Sequence, residues 1–398
     1  MSITLMSITL MSIILWITGI VLAVAWLSRI VDAAIGMPSV ADIAGPEWDR
    51  KPAGNPRVSI IVPARNEAAH IAETLTELLA LDYSNFEVLA VNDRSTDATG
   101  ARMDEVAARP EARGKLKIIH ITELPPAWMG KTHAMWTATE QASGDWLLFT
   151  DADVFFKPGT LRRSLAYAES EQADHLVLLP RMIMKLPGEK MMMAFFQTLF
   201  VFGHRLWKVA DPKADDHMGV GAFNLVRRST YDSIGTYKAL RMEVLDDMKL
   251  GKVIKNAGFR PRVVFGEDLI SLRWAEGAFG IVNNLTKNFF ALLSFQWWRT
   301  IGSVIGVGFL NLGPFLGVWL AHGWLRLPYA LALLCILAIY FGMSTRSAVR
   351  PYYFFLHPVS TALFMYILML SMFHTLWNDG IVWRGTRYPL DELRKGLV

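Results

Sequence analysis

Residues 146–153 read WLLFTDAD, an apolar run that ends in two carboxylates spaced one residue apart. An apolar run bounded by turn-forming residues is typical of a buried strand. Ligands in open α/β sheets bind outside the carboxyl ends of the strands, so we expect Asp151 and Asp153 to lie at a ligand-binding edge. Their oxygens would suit Mg²⁺ or Mn²⁺, which usually bind through one or two carboxylates together with substrate phosphates. Taken alone, the pair is more simply explained as an acidic turn, so the interpretation depends on the rest of the chain.

The composition indicates a globular domain joined to membrane segments. The 398 residues are 53% hydrophobic and have a mean hydropathy of +0.29, which is too apolar for an ordinary soluble protein. A net charge of only +4 does not indicate nucleic-acid binding, and the 40 basic residues are expected to serve phosphates and lipid headgroups. The single cysteine, Cys335, excludes an intramolecular disulfide bond and a CxxC zinc site.

The N-terminal part is predicted to be a membrane anchor. An uninterrupted apolar run at 13–27 is followed by Arg29, the first charged residue. This order indicates an uncleaved anchor over residues 1–35 with its C-terminal side in the cytoplasm, since a signal peptide would carry its basic residues before the apolar run. A stretch rich in Pro, Gly and charge follows at 36–57 and is predicted to be a linker.

The C-terminal part is predicted to hold an interfacial helix at 276–299, transmembrane helices within 300–377 and a basic tail at 378–398. Three segments within 300–377 are each long enough to cross a bilayer. Three crossings would leave the basic tail outside, against the positive-inside rule. Either the segment interrupted at His357-Pro358 is re-entrant, or the number of crossings is not three. A further apolar stretch, 191–209, contains Gln197, His204, Arg205 and Lys208 and is predicted to be an interfacial helix.

Between these ends, strand and helix patterns alternate over residues 58–275. The predicted strands are 58–62, 86–91, 116–121, 146–149 and 175–179, and the predicted helices are 67–81, 98–108, 132–142 and 246–256. Such alternation favours an α/β domain with a mostly parallel, doubly wound sheet.

Candidate site residues stand where these strands end. The loop PARNE (63–67) follows the first strand, where a nucleotide-binding sheet places its first ligand loop; Asn66 would also serve as a helix cap. Asp93 directly follows the second strand and could accept hydrogen bonds from a nucleobase or ribose. Lys131 lies in a Gly-containing loop at a helix start, where a diphosphate contact competes with a solvated surface lysine. Asp246 and Asp247 open a helix, where acids are favoured by the dipole and where a general base could also stand.

Together these stretches resemble the family 2 glycosyltransferases of GT-A fold. The resemblance rests on PARNE (63–67), NDRSTD (92–97), FTDAD (149–153), GVGAFNLVRR (219–228) and LDDMKLG (245–251), in the family's order and approximate spacing over residues 58–290. The apolar ends and the tail motif WRGTRY (383–388) look like the membrane-bound branch. That branch includes ceramide glucosyltransferases and hopanoid-associated and carotenoid glycosyltransferases.

The resemblance implies a role for each candidate. The nucleotide of a nucleotide-diphosphate sugar would be held by Pro63, Ala64, Arg65, Asn66, Glu67 and Asp93. Asp151 would touch ribose or sugar and Asp153 would ligate the cation bridging the diphosphate, so these two are the metal candidates. Asp247 would be the base, with Asp246 in the family's other acidic position. The acceptor side would be shaped by the stretch from His217 to Ala222, which includes Gly219 and Gly221.

One departure from the family pattern concerns a (Q/R)xxRW motif that membrane-bound relatives usually carry after the base. The comparable slot here holds Asn284-Leu285-Thr286-Lys287-Asn288, in which Lys287 could supply the positive charge but the tryptophan is missing. Since the motif helps processive polysaccharide synthases to hold acceptor and leaving group, its absence counts against polymer synthesis.

The sequence therefore predicts an inverting glycosyltransferase, an integral protein of a bacterial cytoplasmic membrane with a cytoplasmic catalytic domain. It would move a sugar, with a UDP-sugar favoured, to a hydroxyl of a membrane lipid with the help of Mg²⁺ or Mn²⁺. Lys131 and Lys287 would assist the leaving group. The alternatives are a processive polysaccharide synthase and a non-catalytic membrane scaffold that keeps the fold. The residues leave the donor nucleotide, the acceptor lipid and the oligomeric state open.

Overall fold

A computed structural model describes residues 3–266, 268–345 and 347–397. The burial of side chains is described from residue 10 onward. The strands are β1 (Val58–Ala64), β2 (Phe86–Asp93), β3 (Leu116–Ile121), β4 (Trp146–Phe149), β5 (Phe155–Phe156), β6 (His175–Leu179), β7 (Arg181–Met182), β8 (Asn224–Arg227), β9 (Pro261–Phe265), β10 (Ile270–Leu272), β11 (Gly380–Trp383) and β12 (Thr386–Pro389). The α-helices are α1 (Ile3–Gly36), α2 (Ile71–Leu79), α3 (Thr99–Ala107), α4 (Gly130–Thr139), α5 (Thr160–Ser170), α6 (Pro187–Gly203), α7 (Arg228–Ser233), α8 (Thr236–Ala239), α9 (Asp246–Asn256), α10 (Gly277–Thr286), α11 (Phe289–Leu292), α12 (Trp297–Leu320), α13 (Leu327–Ser344), α14 (His357–Trp377) and α15 (Leu390–Lys395).

The chain divides into two compact units. The first, here called the sheet unit, comprises the described residues of 39–183, 206–274 and 379–398. The second, the helical unit, comprises those of 1–38, 184–205 and 275–378. The predicted tail therefore belongs to the sheet unit, although it follows the last apolar helix in the sequence.

A seven-stranded sheet in the order β3-β2-β1-β4-β8-β6-β9 forms the centre of the sheet unit. Its pairs are parallel except for those of β8, which runs antiparallel to β4 and to β6. The mostly parallel sheet predicted from the sequence is thus confirmed. In the register of β1, Ile61 lies opposite Leu89 of β2 and Phe149 of β4, so the carboxyl ends of these three strands meet at one edge.

Both faces of this sheet are buried under helices, as expected for parallel strands. On β1, Ile60 and Val62 point into one apolar cluster, which also includes Leu75 of α2. Ile61 points into the opposite cluster together with Met135 of α4 and Leu250 of α9. Because apolar side chains cover both faces of the sheet, polar side chains collect at the carboxyl edge of the strands.

The loop after β1 differs from its prediction. Helix α2 begins at Ile71 instead of residue 67, and Asn66 has a φ of 55°, in the left-handed region. The loop after β2 binds the backbone N–H groups of residues 66, 67 and 68 through Ser95 Oγ (3.0 Å), Thr99 Oγ1 (2.8 Å) and Asp97 Oδ2 (3.2 Å). Because these N–H groups bond across to a neighbouring loop, they do not start a helix. The prediction that Asn66 caps the helix is wrong.

The helical unit contains candidate membrane spans. By length and composition, four helices of the described chain could cross a membrane: Leu10–Ser39, Trp297–Leu320, Gly323–Ser344 and Pro351–Trp377. Helix α14 begins at His357 with Pro358 in its first turn, where proline is tolerated. The His357-Pro358 pair therefore starts this helix, and no break interrupts it.

A short antiparallel hairpin, β11–β12, follows α14. It pairs Ile381 with Tyr388 and Trp383 with Thr386 across a turn at Arg384 and Gly385. We call residues 380–389 the tail hairpin.

Candidate active site

The loop that carries Gly219 and Gly221 is tied to the end of β4. The N–H of Asp151 donates to the carbonyl of Gly221 (3.0 Å), and the Thr150 hydroxyl donates to the carbonyl of Ala222 (2.8 Å). A Cβ atom at Gly221 would overlap the Asp151 carboxylate. Glycine at this position therefore makes room for the side chain of Asp151.

The same loop passes over the start of α9. A Cβ atom at Gly219 would overlap the backbone carbonyl of Asp247, so this glycine allows the two backbones to approach. Asp246 is buried, and Asp247 is half-buried with its Oδ1 accepting from the N–H of Met248 (2.7 Å). These contacts bring the acids of α9 to the edge where β4 ends.

Lys131 joins the two groups of acids. Its Nζ lies 2.8 Å from Asp151 Oδ1 and 3.6 Å from Asp246 Oδ2. Burial alone would lower the pKa of Lys131, but the carboxylates of Asp151, Asp246 and Asp247 outweigh it and raise the pKa above its usual value. Lys131 is thus a charged group inside the acidic cluster, and the alternative of a solvated surface lysine is wrong.

The acids of α9 hold their protons more strongly than ordinary carboxyl groups. Burial raises the pKa of Asp246 to about 7, with Lys131 acting in the opposite direction and Asp247 adding to the rise. The pKa of Asp247 is also raised by burial and lowered in part by Lys131. A carboxyl group with a raised pKa is better matched to a proton transfer near neutral pH.

These residues line one cavity of about 190 Å³. Its lining residues are Lys131, Met135, Phe149, Thr150, Asp151, Gly221, Asn224, Tyr237, Asp246 and Asp247.

Asp153 follows the cavity residue Asp151 by two positions, and the charges of other acids act on its carboxyl group. Burial raises the pKa of Asp153 to about 6, and Asp151 and Glu67 raise it further, while Arg384 lowers it. Within the described residues, no group of three or more His, Cys, Asp or Glu side chains is arranged to hold a metal ion. Asp151 and Asp153 nevertheless fit a Mg²⁺ or Mn²⁺ ion whose remaining ligands come from phosphates and water, because a cation would relieve the repulsion between the two carboxylates.

Asp93, at the end of β2, is buried and engaged with arginines. Both of its carboxylate oxygens accept from Arg94, at 2.7 Å and 3.0 Å, and Arg65 Nη1 lies 4.0 Å from it. This pairing holds the guanidinium groups of Arg65 and Arg94 at the carboxyl edge of the strands. The predicted contact of Asp93 with a nucleotide stays a prediction.

The tail hairpin packs on the loop after β1. Arg384 donates to the backbone carbonyl of Arg65 and to the Glu67 carboxylate, and Thr386 Oγ1 accepts from Arg65 Nη1 (3.1 Å). The Tyr388 hydroxyl accepts from the N–H of Gly130 at the start of α4 (3.1 Å). The tail thus contributes side chains to the same edge of the sheet.

Two predicted residues have other surroundings. His217 Nδ1 lies 3.0 Å from the carbonyl of Asp215, in its own loop. Lys287 belongs to the helical unit, at the C-terminal end of α10. Their predicted acceptor-side roles stay predictions.

Sequence reasoning did not single out Tyr237, Asn224 or Arg384. Asn224 lies within the GVGAFNLVRR stretch, in which this residue was given no role, and it reaches the cavity because β8 pairs with β4. Tyr237 reaches the cavity from α8, where its ring contacts Phe149 of β4, and the sequence gives no local signal of this contact. Arg384 was visible as part of the WRGTRY motif, but no role could be attached to it before its contacts were known.

Comparison with known proteins identifies the domain. Residues 59–247 match the model of the family "Glycosyl transferase family 2". The chain thus contains a glycosyltransferase domain of family 2, and its sheet has the GT-A fold that the sequence resemblance implied.

Individual relatives are distant and match only in part. The 4,4'-diaponeurosporenoate glycosyltransferase of Staphylococcus haemolyticus is 22% identical over 226 residues, covering 56% of this chain and 58% of its own length. The beta-monoglucosyldiacylglycerol synthase of Synechocystis is 33% identical over 117 residues, covering 29% and 23%. The chain therefore spans less than two thirds of the length of these curated relatives.

A solved structure shares the fold over most of the chain. The mannosyltransferase PcManGT from Pyrobaculum calidifontis, determined in complex with GDP-Man and Mn²⁺, has a TM-score of 0.54 and 20% identity. The match covers 92% of this chain and 99% of that one. At this identity the likeness concerns the fold alone.

Proposed function

We propose that this protein transfers a sugar from a nucleotide-diphosphate sugar to the hydroxyl group of a membrane lipid, with inversion at the anomeric carbon. The observation that carries the proposal is the cavity that Asp151, Lys131, Asp246 and Asp247 line together at the carboxyl edge of the sheet. It combines a candidate general base with charged groups suited to a sugar diphosphate.

Asp247 is the proposed base. Its carboxylate would take the proton of the acceptor hydroxyl while the hydroxyl oxygen forms a bond to the anomeric carbon. The bond between that carbon and the diphosphate oxygen breaks, and the nucleoside diphosphate leaves with the electron pair. Asp246 and Lys131 would fix the electrostatics around Asp247, since Lys131 lies 3.6 Å from Asp246 and lowers the pKa of both acids.

The donor's diphosphate is proposed to lie between Asp153 and the loop after β1. When bound at Asp153 and Asp151, Mg²⁺ or Mn²⁺ would offset the charge that develops on the leaving diphosphate. Asp151 would also meet the sugar or ribose, held in place by Lys131 at 2.8 Å. The mannosyltransferase of the same fold, solved with GDP-Man and Mn²⁺, supports this type of donor and metal. We retain a UDP-sugar as the expected donor on the strength of the sequence resemblance.

The proposed acceptor is a lipid because the described part of the chain contains four helices that are apolar and long enough to span a membrane. Two relatives support an apolar acceptor by their names, 4,4'-diaponeurosporenoate glycosyltransferase and beta-monoglucosyldiacylglycerol synthase. Donor sugars are made in the cytosol, so we propose a cytoplasmic sheet unit.

The test uses membranes that contain the full-length protein. They are incubated with Mn²⁺ and a panel of UDP- and GDP-sugars, and the lipid extract is resolved by mass spectrometry. We expect one lipid to gain the mass of one sugar, and we expect Asp247→Asn to reduce its formation at least 100-fold because the base is lost. Asp232→Asn, at an exposed acid paired with Arg228, is the matched control and should leave product formation unchanged.

Other outcomes would support the alternatives. A ladder of products that differ by one sugar would favour a processive polysaccharide synthase. Full activity of Asp247→Asn in cells, or no sugar-bearing product from any donor, would favour the non-catalytic scaffold.

A further inference from the structure

The tail hairpin presents Arg384 at its tip in an unusual conformation. Arg384 and Gly385 both have positive φ, 47° and 78°, as in the two-residue type I′ turn. The first position of such turns is normally Asn, Asp or Gly, because other side chains are unfavourable in the left-handed region. The turn therefore does not by itself explain an arginine at this position.

The guanidinium of Arg384 contacts the loop that the sequence predicts to hold the nucleotide. It contacts the Glu67 carboxylate and the Arg65 carbonyl, in the loop after β1. Its charge also acts on Asp153, the candidate metal ligand after β4. Arg384 thus contacts the predicted nucleotide loop and acts electrostatically on the predicted metal ligand.

Arg384 differs from the other cations described at this edge. Arg94 holds both oxygens of Asp93, and Lys131 is enclosed by Asp151 and Asp246. Arg65 lies between Asp93 and Thr386. The Arg384 side chain is 41% exposed, against 16% for Arg94 and for Arg65 and 21% for Lys131. Arg384 is therefore the most exposed of these four cations and the one most accessible to an incoming phosphate.

We propose that Arg384 is a binding residue for the diphosphate group of the donor, leaving Glu67 when the donor enters. The inference rests on the proposed function, since it names a contact of the same substrate. The planar guanidinium can donate two parallel hydrogen bonds to phosphate oxygens, a strong and orienting interaction. The tail hairpin, anchored by Thr386 and Tyr388, would hold Arg384 in reach of the diphosphate.

The experiment measures nucleotide binding by the full-length protein in nanodiscs of neutral phosphatidylcholine. UDP, GDP, UMP and GMP are titrated calorimetrically in the presence of Mn²⁺. We expect the wild type to bind one diphosphate more tightly than its monophosphate. Arg384→Ala should weaken binding of that diphosphate about 10- to 100-fold and leave the monophosphate unchanged, which also shows that the site is folded. Arg384→Lys should retain part of the difference.

Arg387→Ala is the matched control. Arg387 lies on the same hairpin, but its Nη2 is 3.5 Å from Asp379. Adjacent residues of a strand point to opposite faces, so Arg387 points away from the side on which its neighbours Thr386 and Tyr388 make their contacts. We expect its nucleotide affinities to equal those of the wild type. Repeating the titrations in nanodiscs with phosphatidylglycerol separates a lipid phosphate from a nucleotide phosphate as the partner of Arg384.

Three results would overturn the inference and leave the proposed function in place. Equal diphosphate affinity of Arg384→Ala and wild type would exclude the contact. Equal loss of diphosphate and monophosphate binding would show a structural role only. An effect of Arg384→Ala confined to phosphatidylglycerol nanodiscs would assign the arginine to lipid headgroups. If the wild type binds none of the four nucleotides, the proposed function itself fails, and the inference with it.

Discussion

Gly221 shows how a single residue without a side chain shapes this site. Its carbonyl accepts from the N–H of Asp151, and the space where its Cβ atom would stand is taken by the Asp151 carboxylate. Glycine at this position therefore makes room for the Asp151 carboxylate, which meets Lys131.

We expect Gly221→Ala to move the Asp151 carboxylate and to lower kcat/KM at least tenfold, since small displacements of positioning groups cost large factors in rate. Unfolding temperature should change little, because the overlap is with one side chain at the cavity. The measurement compares sugar transfer with that of Gly159→Ala, where an added Cβ meets only ordinary contacts. Wild-type activity of Gly221→Ala would contradict the steric role.

His175 is a buried histidine that should make stability depend on pH. Its Nε2 donates to Asn224 Oδ1 (2.9 Å), and within the described residues its Nδ1 has no hydrogen-bond partner. Protonation of Nδ1 would create a buried N–H group that has no acceptor among the described residues. Burial accordingly lowers the pKa of His175 to about 4, with the bond to Asn224 acting in the opposite direction.

Between pH 6.5 and about 4 the unfolded chain binds a proton at this position that the folded protein does not, so stability is lost as the pH falls through this window. The loss should reach about 3 kcal/mol and level off below pH 4. Thermal unfolding of the detergent-solubilised protein at several pH values measures it. His175→Gln should flatten the slope, whereas His120→Gln, at an exposed histidine, should not. An unchanged slope in His175→Gln would refute the assignment.

At the scale of elements, the strands and helices that could be predicted are those that a local sequence pattern determines. The strands β1, β2, β3, β4 and β6 and the helix α9 follow from apolar runs and helix start signals, and they carry Asp93, Asp151, Asp246 and Asp247 to one edge. β8 was not predicted, because its four residues end in arginine and are fixed by pairing with β4 and β6. The contact of Arg384 with Glu67 joins residues 317 positions apart, which no local pattern reports.

The tail hairpin and α4 are joined through Tyr388, which is 5% exposed. Tyr388→Phe removes the acceptor of the buried Gly130 N–H and should destabilise the docking of the hairpin by about 1–3 kcal/mol. Hydrogen exchange followed by mass spectrometry should show faster exchange in residues 380–389 and at the start of α4. Tyr83→Phe, whose hydroxyl donates to Pro56, should leave that exchange unchanged. Unaltered exchange in Tyr388→Phe would show that other contacts hold the hairpin.

At the scale of the whole molecule, chain connectivity limits the membrane topology. The chain leaves the sheet unit after Trp274 and returns to it at Asp379, and three candidate spans lie between these residues. A chain that returns to the same compact unit must cross the bilayer an even number of times. We therefore predict an even number of crossings between Trp274 and Asp379, which would let the basic tail satisfy the positive-inside rule.

Cysteine labelling tests this parity. The only native cysteine is removed by Cys335→Ser, and single cysteines are placed at Lys213 and Lys395, both exposed in the sheet unit. A membrane-impermeant maleimide should label both from the same side, which we expect to be the cytoplasmic side. Labelling of the two positions from opposite sides would mean an odd number of crossings and would contradict the placement of the tail.

The tail hairpin also bears on how this protein can be dissected. A fragment of residues 39–274, the obvious way to leave out the candidate membrane spans, would discard Arg384, Thr386 and Tyr388. The candidate site is built from distant parts of the sequence, so such a fragment would keep the acids and lose the side chains that the tail hairpin contributes to the same edge of the sheet. Restoring the hairpin through a short artificial connection after Trp274 would be the rational route to a soluble enzyme.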